Sequence, residues 1–157
     1  MKYKAIAAAD ENMLIGNGLE IPWHIADDFK HFKSTTMGGV ILFGKNTWLS
    51  LGKRPLKGRL NAVLSRSLTE TPPENAMYFK SKADFDKYFE NDPRDVWICG
   101  GANIYKQFLP DCSEIILSKI KGKFNGDTFF PDISKSFAQS EILLEHPQFT
   151  VVRLKRI

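Results

Sequence analysis

The sequence has little of several features that mark specialised classes of protein. Its 157 residues include only two cysteines and three histidines. Two thiols do not form the disulfide framework of a small secreted protein. The histidines lack the spacing of metal ligands, so we expect no metal site. The apolar runs are far shorter than the ~20 residues that span a bilayer, so we expect no membrane partner.

The segment that opens the chain is also short of the features of a targeting signal. Its apolar stretch, Ala5–Ala9, ends at Asp10, whereas the apolar region of a signal peptide has about 7–15 residues. We interpret this stretch as a buried first strand and expect a cytoplasmic protein.

Three common signatures of nucleotide-binding proteins and hydrolases are missing. There is no Gly-x-Gly-x-x-Gly pattern, which argues against an ordinary Rossmann domain, and no Gly-x-Ser-x-Gly elbow. Residues Gly39–Thr47 nearly match a P-loop, but the intervening Val-Ile-Leu-Phe is typical of a strand, and Asn46 stands where a magnesium-binding hydroxyl belongs. Cys99 follows a strand-like run, and we interpret it as a small core residue rather than a nucleophile.

Charge and composition are those of an ordinary globular chain. Hydrophobic residues make up 43% and charged residues 25%, and the formal net charge is +4. A chain of this length is expected to form one domain, residues 1–157. The basic balance favours anionic partners weakly. Because the positive charges are spread along the chain, we expect no nucleic-acid partner.

Short apolar runs alternate along the chain with segments of helical periodicity. Nearly continuous apolar runs are typical of strands covered on both faces. These runs are Ala5–Ala9, Val40–Phe43, Ala62–Leu64, Val96–Cys99 and Ile115–Leu117. The alternation predicts an α/β fold with a largely parallel sheet, and Phe149–Leu154 is interpreted as a late antiparallel strand. Two irregular segments, Asp10–His24 and Gly122–Pro131, are long enough to be binding loops.

Asp28 is a candidate for a catalytic group. It lies three residues after Ile25 and four before Phe32, which places it on the apolar side of a predicted helix, whereas Asp27 points elsewhere. A carboxylate on a buried face is costly unless it has a partner. Both acids could merely complement the positive helix start. That explains Asp28 less well than Asp27, because the solvent side gives the same benefit without desolvation.

Three strand ends carry groups that could hold phosphates, although each has an ordinary alternative. Gly44-Lys45 and Gly100-Gly101 each stand between a strand-like run and a helix, where first-turn N–H groups bind anions. A plain strand-to-helix turn explains both equally well. Ser65-Arg66 can take a phosphate monoester or be part of a solvated loop. Arg54 and Arg59 could each pair a substrate carboxylate or be loop charges.

Taken together, these motifs resemble dihydrofolate reductase of the bacterial chromosomal type, in order and over nearly the whole chain. The motifs that carry the resemblance are Ile15-Gly16 with Ile21-Pro22-Trp23, Asp28-Phe29-x-x-Phe32, Gly44-Lys45-x-Thr47-Trp48-x-Ser50, Pro55-Leu56-x-Gly58-Arg59-x-Asn61, Ile98-Cys99-Gly100-Gly101-Ala102-x-Ile104-Tyr105 and Gly126-Asp127-Thr128-x-Phe130-Pro131. Each motif alone is a weak signal, but the ordered set is strong.

The resemblance implies NADPH-dependent reduction of 7,8-dihydrofolate to tetrahydrofolate by a monomer. It implies a three-layer α/β domain with a mostly parallel eight-stranded sheet, an antiparallel C-terminal strand and four helices on both faces. Asp28 would bind the 2-amino group and N3 region of the pterin and support protonation of N5 by water, with the Ser118 hydroxyl beside it. Trp23 and Ile21 complete the expected catalytic group. Other residues expected to contact the substrate are Ile6, Ala7, Ala8, Phe29, Phe32, Leu51, Arg54, Leu56, Arg59, Cys99 and Tyr105.

The resemblance also implies where NADPH would bind. Lys45, Ser65 and Arg66 would hold the 2′-phosphate, Thr47 and the helix start at Gly101–Ile104 the pyrophosphate, and the Ile15–Ile21 loop would close over the nicotinamide. The full set of expected cofactor residues is Ala8, Ile15, Gly16, Asn17, Gly18, Leu19, Glu20, Gly44, Lys45, Asn46, Thr47, Leu64, Ser65, Arg66, Cys99, Gly100, Gly101, Ala102, Asn103, Ile104, Tyr105, Gln107 and Thr128. A cis Gly100–Gly101 peptide is expected on the same ground.

A few positions depart from the family pattern. Cys99 stands where a larger apolar residue is usual, Ile21 stands where Met or Leu is common, and one extra residue lies near Lys53. None of these changes removes a group that the reaction needs. Two alternatives stay open. A related pyrimidine reductase of flavin biosynthesis should lack Pro22-Trp23 together with Asp28, and a basic nucleic-acid-binding module would bind oligonucleotides in a salt-sensitive way.

Overall fold

An eight-stranded sheet is the centre of the computed structural model, which describes residues 3–157. Residues 1 and 2 of the expected domain lie outside the described part. The strands are β1 (Tyr3–Ala9), β2 (Leu14–Gly16), β3 (Val40–Gly44), β4 (Leu60–Leu64), β5 (Ala76–Phe79), β6 (Val96–Ile98), β7 (Cys112–Ile120), β8 (Thr128–Phe129), β9 (Phe137–Glu145) and β10 (Phe149–Arg156). The helices are α1 (Ala26–Thr36), α2 (Lys45–Ser50), α3 (Lys82–Phe89) and α4 (Ala102–Phe108), with a 3-10 turn at Leu109–Asp111.

The strand order in the sheet is β5-β4-β3-β6-β1-β7-β10-β9, and β2 pairs with β8 in a separate two-stranded ribbon. All pairs from β5 to β7 are parallel, whereas β10 runs antiparallel to both β7 and β9. Helices such as α2, between β3 and β4, return the chain to the edge from which the next strand starts. The prediction of a mostly parallel sheet with an antiparallel C-terminal strand is confirmed.

The side chains of β3 show how both faces of the sheet are covered. Leu42 packs in an apolar cluster with Phe108 of α4, while Phe43 packs in a second cluster with Trp48 of α2 and Phe32 of α1. Because successive residues of a strand point to opposite faces, the two clusters lie on opposite sides of the sheet. The prediction of helices on both faces is therefore confirmed. Within residues 3–157, no helix is long and apolar enough to cross a membrane.

The sequence does not predict every element. Strand β9 forms the outer edge of the sheet and is exposed along its length apart from Phe137, and its short apolar run, Ile142–Leu144, was not recognised as a strand. Helix α1 begins at Ala26, since Ile25 is still extended with φ −122° and ψ 104°. Phe29, expected on the apolar side of this helix, is 42% exposed. The two irregular segments contain β2 and β8, which pair with each other.

Candidate active site

The two glycine turns expected to bind phosphate meet at one edge of the sheet. Strands β3 and β6 are parallel neighbours, so their carboxyl ends lie side by side, where α/β sheets usually bind ligands. The Gly44 N–H donates to the Gly100 carbonyl over 2.9 Å, and the Cys99 N–H donates to the Leu42 carbonyl over 2.8 Å. The Gly100–Gly101 peptide is cis, as predicted.

The turn at Gly101 leaves open space beside the backbone. A Cβ at Gly101 would meet no atom within 4 Å, so the start of α4 is open to a ligand. Gly100 has a φ of +107°, and a Cβ there would lie 3.1 Å from the Tyr105 ring. Neither α2 nor α4 has a hydrogen bond from a side-chain cap at its N-terminus. Their first N–H groups are therefore available to an anion.

A cluster of polar side chains lies on the surface after β4. The Lys45 ammonium donates to the Ser67 hydroxyl over 3.0 Å, and the Ser65 and Ser67 hydroxyl oxygens are 3.3 Å apart. The Ser67 N–H also donates to the Ser65 hydroxyl. Sequence reasoning found Lys45, Ser65 and Arg66 but missed Ser67. The alternation of serines immediately after a strand was the available signal, because a turn can point both hydroxyls the same way.

Asp28 is buried, as the helical spacing predicts. It is 8% exposed, whereas the side chain of Asp27 is 56% exposed. Ser118 of β7 is also buried. Burial raises the pKa of Asp28 above its ordinary value, and the nearby Ser118 hydroxyl and the charge of His31 act in the opposite direction. The structure thus holds an acidic group and a hydroxyl together at the boundary between α1 and the sheet.

The apolar residues expected around the substrate divide between the two faces of the sheet. Those that belong to or pack against the cluster containing Phe43 are Ile6, Ala8, Trp23, Phe32, Leu51, Leu56 and Cys99. The side chain of Ala7 packs in the opposite cluster, because it alternates with Ile6 and Ala8 along β1. Tyr105 also packs there, and its hydroxyl donates to the Ile6 carbonyl over 2.6 Å. Burial raises the pKa of the Cys99 thiol, which favours the core residue over the nucleophile.

The structure separates the two arginines that the sequence left as alternatives. Arg59 is buried near the end of α1, where Nε donates to the Lys57 carbonyl over 3.0 Å and Nη1 donates to the Thr36 hydroxyl over 3.3 Å. Its guanidinium lies 5.9 Å from the Phe32 ring centre. Arg54 is exposed on the turn after α2. The sequence did not identify Thr36 as a group that orients Arg59.

The side chain of Asn61 shapes the loop that carries Arg59. Its amide nitrogen donates to the carbonyls of Leu56 and Arg59, and its oxygen accepts from the Leu56 N–H over 2.8 Å. Gly58, between them, has a φ of +78°, a conformation that favours glycine. The loop is therefore fixed by a fully buried amide rather than by exposed contacts.

The loop expected to close over the nicotinamide lies across the β2–β8 ribbon. The Gly18 N–H donates to the Asp127 carboxylate over 3.1 Å, and Asn17 and Glu20 form an isolated β-bridge. Ile21 is exposed, whereas Trp23, at the end of the loop, is buried. The expected cofactor residues Leu19, Asn46, Arg66, Asn103 and Gln107 are also exposed. Leu64 is buried at the end of β4.

Asp10 and Phe124 link the two irregular segments, and sequence reasoning missed both roles. The Asp10 carboxylate accepts the N–H groups of Asn12, Leu14 and Phe124 over 2.8–2.9 Å. Burial alone would raise the pKa of Asp10, but these backbone hydrogen bonds outweigh it and hold the pKa below its ordinary value. The Phe124 ring packs edge-on against Trp23, with 5.3 Å between the ring centres.

Comparisons with known proteins identify the family. The model of the dihydrofolate reductase family matches residues 2–146. Dihydrofolate reductase of Mycoplasma pneumoniae is 35% identical over 91% of this chain and 96% of its own, and that of Haemophilus influenzae is 34% identical over 85% and 81%.

A solved structure agrees with these relatives. Dihydrofolate reductase from Enterococcus faecalis, complexed with NADP(H) and RAB-propyl, superposes with a TM-score of 0.89 and 27% identity, covering 98% of this chain and 95% of its own. As the resemblance predicted, the chain belongs to the dihydrofolate reductase family of NADPH-dependent oxidoreductases.

Proposed function

We propose that the protein reduces 7,8-dihydrofolate to tetrahydrofolate, with hydride transfer to C6 and delivery of a proton to N5 by water. The observation that carries the proposal is the buried Asp28 carboxyl with the Ser118 hydroxyl beside it, against the apolar cluster that contains Phe43. Burying a carboxylate is costly, so the position of Asp28 is best explained by a ligand that supplies hydrogen-bond donors.

The chemistry of Asp28 suits the pterin of the substrate. An ionised carboxylate has two oxygens that accept hydrogen bonds, and the 2-amino group and N3 of the pterin are donors that can face both. A nearby anion stabilises positive charge in a site of low polarity, so ionised Asp28 favours the pterin protonated at N5. When Asp28 binds the 2-amino side of the pterin, its carboxylate lies too far from N5 to protonate it. Water therefore carries the proton to N5.

The remaining site residues position the two ends of the ligands. Arg59 would pair the glutamate carboxylate of the substrate, because its plane is already oriented by Thr36 and the Lys57 carbonyl. Lys45 and the neighbouring Ser65 would hold the 2′-phosphate of NADPH, and Thr47 with the Gly101–Ile104 start of α4 would hold the pyrophosphate. When bound, NADPH supplies the hydride.

The loop from Ile15 to Ile21 would exclude water from the reacting atoms. The Asp127 carboxylate accepts the Gly18 N–H at the middle of this loop, Ile21 at its end is exposed, and the buried Trp23 follows two residues later. An exposed loop held by few contacts can close over a ligand by a small change of backbone angles. Closure would be seen as a difference in loop coordinates between the free protein and the complex with both ligands.

The first experiment follows the absorbance of NADPH with dihydrofolate, with and without an antifolate that mimics the pterin. We expect oxidation that depends on dihydrofolate and is blocked by the antifolate. Asp28→Asn should lower the rate of hydride transfer sharply at neutral pH and recover part of it at low pH, where protonated N5 needs less help from the enzyme. Asp27→Asn, which changes the exposed neighbour, is the matched control and should keep most of the rate.

Two alternative functions give different results in the same assay. A pyrimidine reductase of related fold would oxidise NADPH with an aminopyrimidine substrate and not with dihydrofolate. A nucleic-acid-binding module would oxidise neither and would bind oligonucleotides with a strong dependence on salt. Wild-type turnover by Asp28→Asn at pH 7 would refute the role proposed for the carboxylate.

We also propose that the protein acts as a monomer in the cytoplasm, without nucleic acid and as one domain. Cys99 and Cys112 are both free thiols, as is usual in a reducing compartment. Sedimentation of the purified protein and its location in fractionated cells test these two proposals.

A further inference from the structure

We propose that His31, one helical turn after Asp28, is a positioning residue that acts on the reaction through the charge of that carboxylate. The inference rests on the role proposed for Asp28 above. It concerns a residue that the motifs shared with the family do not include, and it makes a statement about the protein that can be measured without any substrate.

The first observation is the position of the two side chains on α1. Residues three apart on a helix face the same side, with roughly 5–6 Å between their Cβ atoms. Asp28 is buried on this side and His31 is half-buried. The opposite side of the helix is solvated, and there Asp27 and Lys30 form an exposed ion pair over 3.9 Å. His31 therefore shares the environment of Asp28 rather than that of the surface.

The second observation is that the nitrogens of the His31 ring have few hydrogen-bond partners. Among the described residues, Nε2 of His31 is buried and has no hydrogen-bond partner. The other ring nitrogen, Nδ1, has only a long contact of 3.4 Å with the Thr35 hydroxyl. A buried polar nitrogen without a partner is costly, so packing alone does not explain a histidine at this position. An aliphatic or aromatic residue would fill the space without that cost.

The third observation is which charges act on the pair. On the sheet side, the buried Ser118 hydroxyl of β7 favours the ionised form of the Asp28 carboxyl. Asp28 is the charged group that acts on His31, and His31 is the charged group that acts on Asp28. Arg59 packs on the Phe32 ring near the end of the helix, and its charge acts on Cys99. Each side chain therefore lies within electrostatic range of the other.

Burial and charge act on the two groups in opposite ways. Burial raises the pKa of Asp28 and lowers the pKa of His31, because it disfavours both charged forms. The charge of each partner opposes that effect. When His31 is protonated it delays protonation of Asp28, and when Asp28 is ionised it favours protonation of His31. The protonation of each group as the pH falls therefore depends on the charge of the other.

For the reaction, the consequence is that His31 keeps Asp28 ionised to lower pH than burial alone would allow. Asp28 must be an anion to bind the amino side of the pterin and to favour positive charge at N5. A histidine on the same side of the helix extends the range of pH in which that condition is met. Phe32, which follows His31, packs against the apolar cluster.

The test measures the same coupling from both ends, on the whole protein without ligands. NMR titration of the His31 ring should show its pKa falling by at least ~0.5 unit, a threefold change in proton affinity, in Asp28→Asn. Titration of the Asp28 carboxyl should show its pKa rising by a similar amount in His31→Gln, because the coupling between two sites is reciprocal. Asp27→Asn is the matched control and should move the pKa of His31 by less than ~0.2 unit.

Each outcome decides the proposal. Shifts below ~0.2 unit in both variants overturn it, as do shifts of clearly unequal size. If His31→Gln does not fold, His31→Phe replaces it, and the Asp28→Asn titration decides the matter by itself. In the kinetic arm, His31→Gln should move the apparent pKa of hydride transfer upwards, whereas a purely structural role would lower the rate equally at every pH. A coupled pair in a protein that does not oxidise NADPH with dihydrofolate would refute only the proposed function.

Discussion

The imidazole Nε2 of His146 lies 2.9 Å from the Asp27 carboxylate and joins the turn between β9 and β10 to the first turn of α1. The His146 ring stacks on Phe149 with 4.5 Å between the ring centres, and its Nδ1 accepts the Gln148 N–H over 3.0 Å. Because Nδ1 is an acceptor, Nε2 carries the proton that is donated to Asp27, and the contact does not require a charged imidazole. This contact holds the residue next to Asp28.

Loss of this contact should weaken the attachment of α1 to the sheet. We expect His146→Ala to lower the free energy of unfolding by about 1 kcal/mol, the sum of a modest exposed polar contact and a stacked ring pair. Urea denaturation at pH 7 measures the change. His146→Phe keeps the stacking on Phe149 and removes only the hydrogen bond, so its loss should be smaller. Equal stability of the alanine variant and the wild type would show that the hairpin and α1 are held independently.

Sequence patterns predicted the elements whose burial is regular and missed those whose environment comes from elsewhere in the fold. The strands β1, β3, β4, β6 and β7 are buried on both faces, so each leaves an apolar run. Strand β9 is an exposed edge, where polar residues precede its short apolar run, Ile142–Leu144. At the site, helical spacing alone placed Asp28 on the buried side, because the period of a helix is local information.

The parts of the site that the sequence could not resolve depend on contacts between distant residues. Without the family resemblance, Arg54 and Arg59 were equivalent, because the buried position of Arg59 and its contact with the Thr36 hydroxyl depend on the fold. Phe124 could not be assigned to Trp23 from spacing, since the two are brought together by the Asp10 carboxylate at the end of β1. Such contacts leave no periodic signal in the chain.

We expect the buried Asp28 carboxylate to lower the free energy of unfolding at neutral pH. The pKa of Asp28 in the folded protein lies above its ordinary value of 3.8. At pH values between the ordinary pKa and the raised pKa of the folded protein, the native state binds more protons than the unfolded chain. The free energy of unfolding therefore falls as the pH rises through this range. We therefore expect Asp28→Asn to be more stable than the wild type at pH 7, by on the order of 1 kcal/mol.

The pH dependence separates this effect from better packing. The extra stability of Asp28→Asn should decrease as the pH is lowered towards 4, because Asp28 of the wild type then becomes protonated and no longer destabilises the folded protein. Thermal or urea unfolding at pH 7 and at about pH 4 measures the difference. Asp27→Asn should show no gain, since Asp27 is exposed and its carboxylate is paired with His146. A lower stability of Asp28→Asn at pH 7 would contradict the prediction.

Asp10 should act in the opposite direction on stability. Its carboxylate is almost fully buried and accepts three backbone N–H groups, whereas an asparagine has one accepting oxygen at this position. We expect Asp10→Asn to lower the free energy of unfolding by about 2 kcal/mol, because hydrogen bonds to a charged group are lost. Trp23 should also become more exposed, since its neighbour Phe124 is held by this carboxylate.

The pH dependence of stability expected from Asp10 is opposite to that expected from Asp28. The folded pKa of Asp10 is lowered, so its contribution is fully present above the ordinary value of 3.8 and is lost as the pH falls through the folded pKa. The stability difference between wild type and Asp10→Asn should therefore narrow in acid. Urea unfolding and tryptophan fluorescence at several pH values test this, with the exposed Glu74→Gln as the control. A difference that stays constant with pH would exclude the charge as its cause.

Lys45 should set the preference for NADPH over NADH. Its ammonium is held by the Ser67 hydroxyl, which in turn lies 3.3 Å from that of Ser65, so a cation and two hydroxyls are gathered on one surface. The 2′-phosphate distinguishes the two cofactors, and a charge-assisted contact of about 1.4 kcal/mol corresponds to a tenfold change in affinity. We expect Lys45→Ala to lower kcat/KM for NADPH about tenfold and to leave that for NADH unchanged. Lys87→Ala, on α3, removes an equal charge elsewhere and should change neither value. Parallel losses with both cofactors would place the phosphate away from this cluster.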